Sequence, residues 1–214
     1  MAEEITRRRF IVAGTVAAVA LGTGVGVKLV TDQPKVEHPT TRIGSGVKKV
    51  LVVYGTKSGC SQGVAERIGT GLAAKGVEVD VVPAEKAGSP AEYAAVVVGS
   101  GVRMGQWHEP ARTWVAANGN ALKAKPIAFY TVGMTLVSEP DATEKVRAFT
   151  DPIIAETGVS PVDVGVFKGR NTGEGFSFLE RTILSAMKTP KGDFRDWTAI
   201  DAWTDKVEPQ LQIS

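Results

Sequence analysis

The chain has 214 residues, 43% of them hydrophobic and 22% charged, a balance that folds and that excludes a disordered or fibrous polymer. Its 25 lysines and arginines stand against 23 aspartates and glutamates, so the formal charge of +2 supplies no broad basic face and argues against a nucleic-acid partner. One cysteine (Cys60) and two histidines (His38, His108) rule out a thiolate iron–sulfur cluster, a four-ligand Cys/His zinc site and an internal disulfide. No G-x-S-x-G elbow, G-x-x-x-x-G-K-[ST] loop or H-E-x-x-H helix occurs, so the expected source of any chemistry is an organic cofactor.

The first element in chain order is a targeting or anchoring segment, residues 1–30. Phe10 to Val27 are 18 consecutive uncharged positions directly preceded by Arg7, Arg8 and Arg9, and the apolar stretch runs on to Val30, broken only by Lys28. Gly14, Gly22, Gly24 and Gly26 would each cost about 1 kcal/mol in the interior of a core helix, which argues against a buried element of the domain. Thr6-Arg7-Arg8-Arg9-Phe10-Ile11 resembles the twin-arginine export signal. The segment is read as an uncleaved hydrophobic helix anchoring the chain in a membrane, with Ala18-Val19-Ala20 leaving cleavage as the alternative. With the arginines held in the cytoplasm, everything beyond residue 30 is expected on the extracytoplasmic side. Residues 31–46, with Pro34, Pro39, Gly44 and Gly46 and no apolar periodicity, read as a linker in which His38 is solvated.

From residue 47 to 214 the pattern is that of one α/β domain. Val50–Tyr54, Ala94–Val98 and Ile127–Tyr130 are continuous apolar runs, as expected of parallel strands covered by helices on both faces. Val77–Val81 and Val162–Val166 alternate and read as edges. A doubly wound five-stranded parallel sheet in the order 2-1-3-4-5 places all five consistently, and this is the flavodoxin-like order. Its crevice opens at the carboxyl ends of the first and third strands. Helices are expected from Ser61, as cap, to about Gly76, then over Pro110–Ala117, Asp141–Glu156 and Phe176–Met187, with Trp197–Leu211 closing the domain over a core holding Trp197 and Trp203.

Between the first strand and its helix lies Thr56-Lys57-Ser58-Gly59-Cys60-Ser61. Three hydroxyls, a glycine that permits a tight turn and a helix N-terminus make an anion cradle of the kind that binds phosphate. After the third strand, Ser100-Gly101-Val102-Arg103-Met104-Gly105-Gln106-Trp107 is a glycine-rich loop that can wrap a planar ring, with Trp107 available to stack. Thr131-Val132-Gly133-Met134, after the fourth strand, can close the other side.

The spacing T-x-S-G-x-S is similar to the [ST]-x-T-G-x-T loop of flavodoxins, and the resemblance implies FMN as cofactor, its phosphate held by hydroxyls and backbone N–H groups. The run from Val102 to Arg112 (VRMGQWHEPAR) looks like the S-I-R-Y-G-x-[YH]-H segment of the menaquinone-dependent protoporphyrinogen IX dehydrogenase family, with Arg103, Gly105 and His108 on matching positions. Asp193-Phe194-Arg195-Asp196-Trp197 is similar to a late region of that family, and the likeness covers about Lys48 to Val207. It implies an FMN-dependent oxidoreductase that passes electrons from a reduced substrate, a porphyrinogen in the family, to a quinone. Met104 replaces the family's tyrosine, and the family's better-known members lack an export-type leader. Arg103 and His108 are the candidate catalytic residues: the first to attract a carboxylate-bearing substrate or a quinone oxygen, the second to relay protons, each with a solvated-loop or helix-start role as the alternative. Cys60 reads as a spacer, its helix-start position being the argument for a reactive thiolate. The rival function is a membrane-tethered flavodoxin-type electron carrier without its own substrate, working between redox partners.

Overall fold

The computed structural model describes residues 36–186 and 188–213. The expected anchor, residues 1–30, lies outside them, and among the described residues no helix is long and apolar enough to cross a membrane. The elements are β1 (Thr41–Ile43), β2 (Lys49–Gly55), α1 (Cys60–Ala73), β3 (Glu78–Pro83), β4 (Ala95–Arg103), β5 (Gln106–Trp107), α2 (Glu109–Lys123) and β6 (Ile127–Gly133). They continue with α3 (Thr135–Ser138), α4 (Thr143–Arg147), α5 (Asp151–Thr157), β7 (Val164–Lys168), β8 (Arg170–Asn171), α6 (Phe178–Ala186), β9 (Gly192–Asp193) and α7 (Trp197–Val207).

One seven-stranded sheet runs in the order β1-β3-β2-β4-β6-β7, with β5 folded back on β4. The pairs β2–β3, β2–β4, β4–β6 and β6–β7 are all parallel, so the five strands read from the sequence stand in the expected 2-1-3-4-5 order. Side chains alternate between two cores. Val50, Val52 and Tyr54 face α1 and α7 with Val64, Ile68, Leu72, Ile200 and Trp203. Leu51 and Val53 face the other way, against Trp114, Val115 and Leu122 of α2 and Ile153 of α5. Burial on both faces is why the central strands carry no polar alternation.

From residue 36 on, the segment read as a linker is part of the fold. β1 pairs antiparallel with β3, Thr41 opposite Val81 and Ile43 opposite Val79, so β3 is not an edge. Three residues carry no periodicity to detect; what fixes them is tertiary, the Arg42 guanidinium donating to both Asp80 carboxylate oxygens at 2.7 and 3.1 Å. His38 is not freely solvated either, since it meets the Tyr54 ring edge-on at 6.3 Å, with its Nδ1 3.3 Å from Gln62 Oε1.

Other boundaries shift for local reasons. Gly59, at φ 73°, is the N-cap of α1, and Ser61, expected to cap, lies inside the first turn. The second helix runs past Ala117 because Leu122 continues its buried face. The expected helix 141–156 breaks into α4, a 3-10 turn at Ala148–Thr150 and α5, where Pro152 sits in the first turn and cannot extend an incoming helix. Trp203 is core, whereas Trp197 is 38% exposed and stacks under Arg195, 4.5 Å from its ring centroid.

Candidate cofactor site

The strand register sets the site out in one row. Gly55 lies opposite Ser100 and Ser100 opposite Thr131, all at carboxyl ends of parallel strands. The loops following these residues, 56–61, 101–105 and 132–134, therefore converge on one face, with His108 beside them.

The first loop begins α1 without a side-chain cap, so the first-turn N–H groups have no intrahelical partner. Such a start offers donors and a positive dipole end to an anion. Thr56, Lys57 and Ser58 lead into it. The Ser61 hydroxyl does not: it is buried and donates to the Gly55 carbonyl at 2.6 Å, so it closes the loop from below. Of the other two hydroxyl residues, Thr56 is buried at 4% exposure and Ser58 is half-buried, both beside the helix start. Cys60 is buried, its sulfur accepting from the Arg170 N–H at 3.1 Å, and burial pushes the thiol up from its ordinary value. The reactive-thiolate alternative for Cys60 is thereby removed.

The second loop is a hairpin. Val102 pairs with Trp107 and Arg103 with Gln106, leaving Met104 (φ 52°) and Gly105 (φ 76°) as a two-residue turn in the left-handed region. That backbone suits asparagine or glycine; Met104 holds it at the tip, 79% exposed. The turn sends Trp107 inward. It is 2% exposed, its Nε1 donates to Thr131 Oγ1 at 2.9 Å and its ring packs edge-on against Phe129, so the expected stacking role gives way to a core role. Ser100 and Thr131 are likewise wholly buried. The Ser100 hydroxyl donates to the Gly101 carbonyl at 2.9 Å and accepts from the His108 N–H at 2.8 Å, bracing the hairpin. Burial, with Glu85 opposing it, holds the His108 imidazole below its ordinary value, and its buried Nδ1 has no hydrogen-bond partner among the described residues. Val132 is buried, and the Gly133 carbonyl accepts from the Gly169 N–H at 2.9 Å, drawing the strand end toward β8.

Two residues central to this face carried no signal in the loop motifs. Arg170 donates to the Ser58 carbonyl at 3.0 Å and pairs with Glu174. Glu180, 13% exposed at its side chain, accepts from Lys57 Nζ at 2.6 Å and from Arg103, tying the first two loops to α6. Its other oxygen accepts from the Ser177 N–H at 2.8 Å and the Ser177 hydroxyl at 3.0 Å, while Ser177 Oγ accepts from the Glu180 N–H at 3.3 Å. Ser177-Phe178-Leu179-Glu180 is thus a capping box, a sequence signature that could have located the start of α6. Burial raises the Glu180 carboxyl, but Lys57, Ser177 and Arg103 outweigh it and leave it below its ordinary value. Gly175, at φ 69°, completes the contact: a Cβ there would stand 2.6 Å from the Lys57 carbonyl.

This parallel sheet, with an uncapped, hydroxyl-bearing helix start after its first parallel strand, defines a flavodoxin-like α/β protein. The chain belongs to the flavodoxin-domain family, whose model matches residues 51–198. It is 27% identical over 160 residues to the protoporphyrinogen IX dehydrogenase [quinone] of Leishmania major, a match spanning 73% of this chain and 69% of that one. The Escherichia coli K12 protein of the same name is 21% identical over 159 residues, spanning 73% and 88% of the two chains. Among solved structures, a flavodoxin from the domain Archaea superposes with a TM-score of 0.48 at 18% identity, over 77% of this chain and 99% of its own.

Proposed function

We propose that this flavodoxin-domain protein is an FMN-dependent oxidoreductase that takes electrons from a reduced substrate and delivers them to a quinone, and that residues 1–30 hold it at the extracytoplasmic surface of a membrane. The observation that carries the reading is the uncapped start of α1 between Thr56 and Gln62, with the hydroxyl-bearing and glycine-rich loops gathered beside it. The donor set fits a phosphate monoester: first-turn N–H groups and the Thr56 and Ser58 hydroxyls, with the Lys57 ammonium beside them already paired to Glu180. When bound, FMN supplies a two-electron centre that can also release electrons singly.

The chain's own residues position and shield. Ser61 fixes the loop floor through Gly55, and Ser100 holds the hairpin carrying Arg103. Arg103 is half exposed at the rim, where a carboxylate or quinone oxygen would compete with Glu180 for it. His108, its pKa depressed by burial, is neutral at pH 7 and accepts or donates a hydrogen bond as an uncharged imidazole. A porphyrinogen is the substrate that the relatives' names suggest; a quinone is the acceptor.

The test uses the purified full chain. The reading expects a visible flavin spectrum, anaerobic bleaching by protoporphyrinogen and recovery of colour on adding a soluble quinone. Thr56→Val and Ser58→Ala should each weaken FMN binding roughly tenfold. A colourless protein that does not take up added FMN overturns the cofactor. A coloured protein inert to both reagents, yet exchanging electrons rapidly with a protein partner, makes it a tethered carrier instead.

A further inference from the structure

Helix α6 leaves a large apolar surface in the open. Phe178, Leu179 and Ile183 are 71%, 44% and 47% exposed, none of its residues is buried, and a shallow groove runs between Phe178 and Ala186. Its latch through Glu180 to Lys57 and Arg103 puts it at the carboxyl ends of β2 and β4, the end that bears the site. Met104, 79% exposed, follows Arg103 at the same end. Arg181 on the same helix, and Lys188 and Lys191 shortly after it in the chain, are exposed.

The chain enters the domain at that end too. β1 is antiparallel to β3, so residues 36–40 lie beyond the carboxyl end of β3. They are held there by the Tyr54 hydroxyl donating to the Pro39 carbonyl at 2.7 Å and Lys86 donating to the His38 carbonyl at 3.0 Å. From Val30, where the apolar stretch of the sequence stops, to Val36 the chain spans at most about 20 Å. Sideways, β1 and β4 are three strand spacings apart, about 15 Å. The amino end of the sheet is a further ~20 Å away along seven-residue β2. A tether this short, attached here, presents the carboxyl end.

We infer that the carboxyl-end face, with Phe178, Leu179, Ile183 and Met104 as its apolar contacts and Arg181, Lys188 and Lys191 as its basic ones, seats on an anionic lipid surface, so that the cofactor mouth opens against the bilayer. This rests on the proposed anchoring by residues 1–30. Apolar side chains entering the headgroup boundary with basic ones beside them are the chemistry of an interfacial helix. A quinone dissolved in the lipid then reaches the site without crossing water.

The test is made on the full chain with vesicles of phosphatidylglycerol and phosphatidylcholine carrying doxyl-labelled acyl chains. An environment-sensitive fluorophore is attached at Ile183→Cys or, as control, at Lys123→Cys, at the opposite end of the sheet; Cys60 is buried and does not compete. The expected result is strong quenching with a blue shift at 183 and none at 123. Phe178→Ser with Leu179→Ser should leave turnover with a water-soluble quinone unchanged and raise the KM for a vesicle-borne quinone roughly tenfold. Sedimentation with vesicles but no quenching at 183 overturns the lipid-facing surface and leaves the anchor standing. Failure to sediment overturns both. A blue shift at 183 without lipid, rising with protein concentration, assigns the patch to a second copy and overturns the inference.

Discussion

Glu180 is the point at which α6 is fastened, and replacing it with glutamine should release the helix without disturbing the sheet. Glutamine keeps the shape but places an amide where Lys57 and Arg103 donate. The Arg103 pair is half exposed and screened, so it adds little. The Lys57 pair, 17% and 13% exposed at 2.6 Å, is a charge-assisted bond worth about 2 kcal/mol. No fully buried side chain on α6 offsets that loss. Amide hydrogen exchange of Glu180→Gln should therefore show protection over residues 178–186 falling roughly 30-fold, while β2 and β4 keep theirs. The wild type should reproduce this with acid. The folded-state pKa of Glu180 lies below the ordinary 4.5, so its contribution is complete above pH 4.5 and is lost as pH falls through the depressed value. Unchanged exchange in α6, or an equal loss throughout the sheet, would refute the assignment of Glu180 as the fastening.

Asp163 should act on global stability instead. It accepts from Trp203 Nε1 at 3.0 Å and Lys206 Nζ at 2.8 Å, so Asp163→Asn should lower urea-unfolding stability at pH 7 by about 2 kcal/mol. Burial raises this carboxyl, but Lys206, the Val164 N–H and Trp203 outweigh it; the difference between the two proteins should vanish as pH falls below the ordinary 3.8 and through the depressed value. Met104→Asn relieves a left-handed methionine at φ 52° and should raise thermal stability by about 1 kcal/mol; a decrease would show that Met104 makes a contact worth more than its strain. Cys60 should react with a thiol reagent at least roughly 100-fold more slowly in the native than in the unfolded protein, and comparable rates would contradict its burial and raised pKa.

The parts of this molecule that could be read in advance are those whose cause is local. Val50–Tyr54 and Ile127–Tyr130 announce central strands because helices cover both faces and every position is apolar. The T-x-S-G-x-S spacing likewise places the loop at the start of α1. Which hydroxyl faces a ligand is another matter, since Ser61 is turned inward by a carbonyl six residues earlier that only the folded loop presents. The burial of Trp107 is not local either, because it depends on the Met104–Gly105 turn reversing the chain. Glu180 reaches Lys57 across 123 positions and Arg42 reaches Asp80 across 38, separations at which no periodicity survives. The capping box at Ser177 has a local cause too, since Ser177 and Glu180 stand three positions apart.

Strand β1 has a bearing on how the protein can be handled. By lying antiparallel along β3 it occupies the N–H and C=O groups that would otherwise form a bare sheet border, and Arg42, Asp80 and Tyr93 rivet it there. Trimming the chain at residue 47 would strip that border and leave Val79 and Val81 on an open, apolar template for intermolecular β pairing. A shortened version for expression that keeps residue 36 onward retains its own guard against aggregation.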